Sequence, residues 1–174
     1  VCRDADVVWV TFDVPVDDED RSDVAFVTTR VESLFPYLAD GAIVLVSAQL
    51  PVGTTRALAR AFAERAEGRR VSFAYSPENL RLGGAIEAFR RPERIVLGVD
   101  DENARRVLSE LLGRFSDRIQ IVSIESAEMT KHALNAWLAI SVTFANEIAS
   151  LCERVGADAS EVEEALRSEP RVGR

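Results

Sequence analysis

Cysteine, histidine and long apolar runs are scarce in this chain, and each scarcity removes a class of function. Of 174 residues only two are cysteine, Cys2 and Cys152, so a disulfide scaffold is not indicated and a reducing compartment fits. The one histidine, His132, has no Cys or His partner at metal-ligand spacing; it reads as a structural or solvated helix residue, and no metal site is expected. No segment approaches the roughly 18 apolar residues of a membrane span. The most apolar stretch, residues 133–149, is broken by Asn135, Ser141, Thr143, Asn146 and Glu147, so no membrane partner is expected. A surplus of positive charge is also missing: the net charge is −8, and a chain built to hold nucleic-acid phosphates needs a basic surface. Internal repeats and low-complexity segments are absent. The chain opens Val1-Cys2-Arg3 and enters a strand pattern almost at once, and it closes Pro170-Arg171-Val172-Gly173-Arg174. Both ends read as cuts through a longer protein, and no targeting signal is read from them.

What is present is ordinary for a globular fold, 47% hydrophobic and 29% charged residues, arranged in a regular alternation. Short β-branched runs, Val7 to Phe12, Ala42 to Val46, Val71 to Tyr75, Arg94 to Val99 and Ile119 to Ile124, predict five buried strands. Helical periodicity predicts helices over Val24 to Leu38, Thr55 to Ala66 with Thr54 as N-cap, and Asp101 to Phe115. A long helix is expected from Ser126 to Gly156, and a shorter one over Ser160 to Arg167, capped by Ser160 with Glu163 completing a capping box. The acidic segment Asp17 to Asp20 reads as a solvated turn. Strands alternating with helices predict an α/β layer structure with a largely parallel sheet. The pattern turns all-helical near Ser123 to Glu125, which predicts a division into residues 1–124 and 125–174.

In such sheets ligands bind beyond the carboxyl ends of the strands. The loops expected there are Asp13 to Pro15, Ser47 to Gly53 and Ser76 to Gly84, with the start of the long helix beside them. On that helix Lys131 and Asn135 are four residues apart and share a face. An ammonium and a carboxamide converging on one point form a cradle for an oxygen that becomes negative during a reaction. On spacing alone the pair reads equally as a solvated lysine and an ordinary polar asparagine. The topology, which turns it toward Gln49 and Glu78, favours the functional reading.

Four stretches in order carry a family resemblance: Ala48-Gln49-Leu50-Pro51-Val52-Gly53-Thr54-Thr55, Ser76-Pro77-Glu78-Asn79-Leu80-Arg81-Leu82-Gly83-Gly84, Arg91-Pro92-Glu93-Arg94-Ile95-Val96-Leu97-Gly98, and Ala127-Glu128-Met129-Thr130-Lys131 with Asn135, Phe144-Ala145-Asn146-Glu147-Ile148 and Gly156-Ala157-Asp158. Together they resemble the nucleotide-sugar dehydrogenases, the family of UDP-glucose 6-dehydrogenase and UDP-N-acetylmannosamine dehydrogenase. The resemblance implies an NAD-dependent oxidoreductase acting on a CH–OH donor. Such an enzyme takes the C6 alcohol of a UDP-sugar to a uronate in two steps, for polysaccharide biosynthesis in the cytoplasm. It further implies that the chain is a fragment: the later half of a Rossmann-like NAD-binding sheet over residues 1–124, then the start of a central helical domain used for homodimerisation. The fragment alone is expected to be inactive.

Carried over residue by residue, Lys131 resembles the lysine that stabilises charge on the C6 oxygen and Asn135 its partner. Glu78 is similar to the glutamate credited with acid–base work in hydrolysing a thioester intermediate. Asn79, Leu80 and Arg81 fall where the UDP-sugar usually lies, and Pro15, Gln49, Pro51 and Gly53 in loops that usually border the NAD. Three residues depart from the pattern: Gln49 and Val14 each stand where a threonine is usual, and Leu82 where a second glutamate is common. A Gly-x-Gly-x-x-Gly loop and a nucleophilic cysteine in a glycine-rich loop do not occur in these 174 residues; Cys152, beside Leu151 on the long helix, reads as a small buried hydrophobe. Two alternatives stand beside this reading. One is a related β-hydroxyacid or 6-phosphogluconate-type dehydrogenase; the other is a divergent nucleotide-sugar binding module without catalysis.

Overall fold

The structure is a computed structural model that describes residues 2–80 and 83–172. Two compact units divide the chain, residues 1–132 and 133–174.

The first unit is built on a five-stranded sheet in the order β1 (Val7–Val10), β2 (Ile43–Val46), β3 (Ser72–Tyr75), β4 (Ile95–Gly98) and β5 (Ile119–Val122). Between the strands lie α1 (Val24–Leu34), α2 (Thr54–Ala63), α3 (Ala85–Arg90) and α4 (Glu102–Leu112). The α5 helix (Ile124–Val155) begins directly after β5. Because side chains alternate across a strand, β2 serves two cores. Val44 and Val46 pack on one face with Phe73, Tyr75, Leu58 and Val31. Ile43 and Leu45 pack on the other with Ala74, Leu97 and Leu108. Burial on both faces is why the strands read as continuous apolar runs rather than as alternating ones.

Several expected boundaries shift for local reasons. The first helix stops at Leu34 and tightens into a 3₁₀ turn over Phe35–Tyr37, where Pro36 removes a backbone donor. Thr54 is not the cap of α2: Gly53 holds the N-cap position at φ +92°, and Thr54 turns its hydroxyl back onto the Pro51 carbonyl at 2.6 Å. Such a positive φ is cheap only for glycine. Ser160 likewise yields to Asp158, whose carboxylate accepts from the amides of Ser160 and Glu161 at the start of α6 (Ala159–Ser168). The short helix α3 carries no buried residue and left no periodic signal; Phe89 fastens it between Trp9 and Phe115.

The sheet is parallel except between β3 and β4, which run antiparallel and meet at the Tyr75–Gly98 pair. The carboxyl end of β5 therefore points the opposite way from those of β1, β2 and β3. The long helix still reaches their loops because it packs its first turn tightly on the end of β4. A Cβ built on Gly98 would stand 2.7 Å from the Ala127 Cβ and 2.8 Å from the Ile124 Cα. Only a residue without a side chain permits that approach.

In the second unit the remainder of α5 ends at Val155, Gly156 turns the chain at φ +76°, and α6 follows. No helix among the described residues is long and apolar enough to cross a membrane.

Gly98→Ala is expected to destabilise the protein by about 1–3 kcal/mol, the usual cost of overpacking where backbone must give way. Chemical denaturation measures it. An unchanged midpoint would show that the start of α5 moves freely over β4.

Candidate active site

Four residues of the first turns of α5, Ile124, Ala127, Glu128 and Lys131, are buried and fall at helical spacing on one face. Two of the four are charged, and each finds partners on a loop that follows a strand.

Glu128 is fully buried, and both carboxylate oxygens accept backbone hydrogen bonds from the start of α2: Gly53 N at 2.5 Å and Thr55 N at 2.9 Å. The first amides of a helix have no partner within it, and the helix dipole places partial positive charge there. A carboxylate arriving from another helix therefore does what the missing side-chain cap would have done. The Thr55 hydroxyl, also buried, has no hydrogen-bond partner among the described residues. His132 holds the same loop from its other end, its Nε2 lying 2.9 Å from the Leu50 carbonyl oxygen. A carbonyl only accepts, so Nε2 carries the hydrogen.

Lys131 reaches the loop after β3. Its Nζ donates to the Glu78 carbonyl oxygen at 2.6 Å and lies 3.3 Å from Glu78 Oε1. The other oxygen of that carboxylate accepts from Leu80 N at 2.7 Å. An ammonium has three donors; Glu78 engages two, and one remains unengaged among the described residues. Tyr75 is buried, and burial first, then the charges of Glu128 and Glu78, pushes its phenol up, so that it stays protonated.

An ionic clamp lies nearby. Arg56 on α2 donates to both oxygens of Glu125 at 2.8 and 3.0 Å and to Asp100. The hydrogen bonds from Arg56 hold the Glu125 carboxyl down at about 2. The clamp ties α2 to the first turn of α5 and to the loop after β4.

The structure thus joins Lys131 to Glu78 directly, and Gly53 to the same stretch of α5 through Glu128. Pro15, Gln49 and Pro51 are exposed on the loops after β1 and β2, and Asn79 and Leu80 on the loop after β3. Arg81 and Leu82 lie outside the described residues. Asn135 is exposed on the part of α5 that belongs to the second unit. Glu128, which holds the start of α2, is not among the candidates that the sequence singles out. Its signal was available: a carboxylate on the apolar stripe of a helix, three residues before the lysine, needs buried donors.

Residues 1–116 match the UDP-glucose/GDP-mannose dehydrogenase family, NAD binding domain, and residues 125–174 the central domain of that family. The chain is 33% identical over 174 residues to UDP-glucose 6-dehydrogenase TuaD of Bacillus subtilis (strain 168), a match that takes in 99% of this chain and 38% of that protein. It is 35% identical over 175 residues to the UDP-glucose 6-dehydrogenase of Rhizobium meliloti (strain 1021), across 97% of this chain and 40% of that one. The fold superposes on a UDP-glucose dehydrogenase from the hyperthermophilic archaeon Pyrobaculum islandicum with a TM-score of 0.84 and 32% identity, over 97% of this chain and 40% of that structure. The chain spans about two fifths of the length of the curated relatives it matches.

The Arg56–Glu125 pair predicts a pH dependence. Glu125 sits below its ordinary value of 4.5, at about 2, so its contribution to stability is complete above pH 4.5 and is lost as the pH falls through 2. Glu125→Gln should melt below the wild type at neutral pH, and the gap should close over that window. Both side chains are over a third exposed, so the gap is small and salt narrows it. A gap that persists unchanged at pH 2 would contradict the assignment.

Proposed function

The chain belongs to the UDP-glucose/GDP-mannose dehydrogenase family, and we propose that it works as part of an NAD-dependent nucleotide-sugar dehydrogenase that oxidises the C6 alcohol of a UDP-sugar to a uronate. The observation that carries this reading is the buried Lys131, fixed on Glu78 with one donor left over among the described residues. Family membership and the lysine geometry together favour it over a β-hydroxyacid dehydrogenase. Residues 1–124 belong to the cofactor-binding part, and residues 125–174 begin the central helical part.

The loops that would border NAD suit a flat, partly apolar cofactor. Pro51 and Val52 are exposed, and Gly53 leaves open space where a Cβ would stand, so backbone can approach a ligand there. Pro15 and Gln49 stand on the same set of loops. The chemistry supplied by bound NAD is acceptance of hydride from C6.

The residues of the chain supply the electrostatics. Loss of hydride from C6 requires the alcohol oxygen to take on negative charge as its proton leaves. Lys131 directs its remaining N–H at that oxygen, in a site shielded enough for the interaction to count. Asn135 acts on the same oxygen, supported by its four-residue spacing and the resemblance. Glu78, held by Lys131 and Leu80 N, is placed to exchange a proton with substrate or water. Asn79, Leu80 and Arg81 bind the sugar nucleotide. The cytoplasm, where NAD and UDP-sugars are used, is the compartment.

A second copy of the chain is the partner proposed for α5. Trp137, Ile140, Phe144 and Leu151 recur at helical spacing, and each is more than half exposed. A stripe of that kind calls for cover, and twofold association supplies it. Sedimentation of the full-length protein at micromolar concentration should give a dimer, and Trp137→Glu should weaken it. A clean monomer would contradict this.

For catalysis, Lys131→Met in the full-length protein should lower turnover by about 10²–10³ with little change in KM, the loss expected of one transition-state donor. NADH formation with UDP-glucose and UDP-N-acetylmannosamine measures it. Asn135→Ala should give a related loss that does not add fully to the first. Turnover within a few-fold of wild type for Lys131→Met would reduce the residue to a structural lysine.

A further inference from the structure

We propose that Glu128 is a positioning residue for Lys131, acting by locking the lysine helix to the Leu50–Thr55 loop through its grip on the amides of Gly53 and Thr55. The inference rests on the reading of Lys131 as the group that holds the substrate oxygen.

Lys131 is bracketed along α5 by two residues that seize the same loop. Glu128 takes its carboxyl end, at Gly53 and Thr55, and His132 takes its amino end, at the Leu50 carbonyl. Lys131 itself points to another loop, at Glu78. The ammonium is therefore suspended between two loops, one bearing the proposed cofactor contacts and the other the proposed sugar contacts. Glu128 belongs to the buried stripe and touches neither loop's exposed face, so its effect must pass through placement.

The chemistry requires a carboxylate there. Both contacts are backbone N–H donors at the positive end of α2, so the side chain must accept twice. Glutamine offers one acceptor and one NH₂, and the NH₂ would face an amide donor. The clash turns the side chain out or shifts α5, and Nζ moves with it. Displacements near 1 Å at a reacting centre cost about 10²-fold in rate.

The test is a double-mutant cycle in the full-length protein, using UDP-glucose or UDP-N-acetylmannosamine, whichever is turned over, with NAD. Glu128→Gln should lower kcat by about 10- to 100-fold while both KM values stay within about threefold. In the Lys131→Met background the same change should cost less than about threefold, because the group it positions is gone. Circular dichroism confirms that each variant is folded. Glu128→Asp, which keeps the charge but falls one methylene short, replaces Glu128→Gln in the cycle if that variant does not fold, and should show a smaller loss with the same non-additivity. Equal losses in both backgrounds, or an unchanged kcat, would overturn the role of Glu128 and leave that of Lys131 standing. A Lys131→Met enzyme as active as wild type would overturn the reading of the lysine, and this inference with it.

Discussion

One buried carboxylate organises the site. Glu128, wholly out of solvent, caps a helix that has no side-chain cap of its own. Burying a charge is costly unless hydrogen bonds replace its water, and bonds to a charged group each contribute about 1.5–3 kcal/mol. Two of them at the positive end of a helix dipole offset that cost. The arrangement makes two elements distant in sequence, the α2 loop and the start of α5, mutually dependent.

Two further constraints bring Glu128 to its place. Gly98 lets the first turn of α5 sit against β4 at a separation no side chain would allow. The Arg56 clamp to Glu125 and Asp100 then fixes the helix start from the solvent side. The reversal of β4 relative to β3 matters here. It brings the carboxyl end of β5 level with that of β3, since Gly98 pairs with both Tyr75 and Val122, so that α5 begins beside the loops of the parallel strands.

The layer architecture was legible because it depends on periodicity. Val44, Val46, Ile43 and Leu45 are apolar without interruption since both faces of β2 are covered, and that run is visible in any reading of the chain. Helix ends were less legible. The cap of α2 comes from a residue 73 positions away from Thr55, and no local pattern of Thr or Ser can announce a cap supplied across space. The short α3 helix rests on the aromatic contacts of Phe89 rather than on an amphipathic stripe, so its sequence carries no period. Topology turns Lys131 toward the crevice of Gln49 and Glu78, but its direct pairing with Glu78 has no signal in the sequence, and Glu128 stands in the same motif without being singled out by it. Its partners are backbone amides, which side-chain patterns do not mark; the only signal is its own place on the apolar stripe.

The proposed chemistry requires the site to be stiff. Lys131 is shielded, with one donor unengaged among the described residues, and the loops around it are held where side chains of α5 bond to their backbone. Amide hydrogen exchange at Gly53 and Thr55 in the full-length protein tests this most directly. Both amides should exchange as slowly as those of the core strands, and Glu128→Gln should speed these two far more than the rest of α2. Exchange at the rate of an open turn, or indifference to the substitution, would contradict the claim that Glu128 holds the site together.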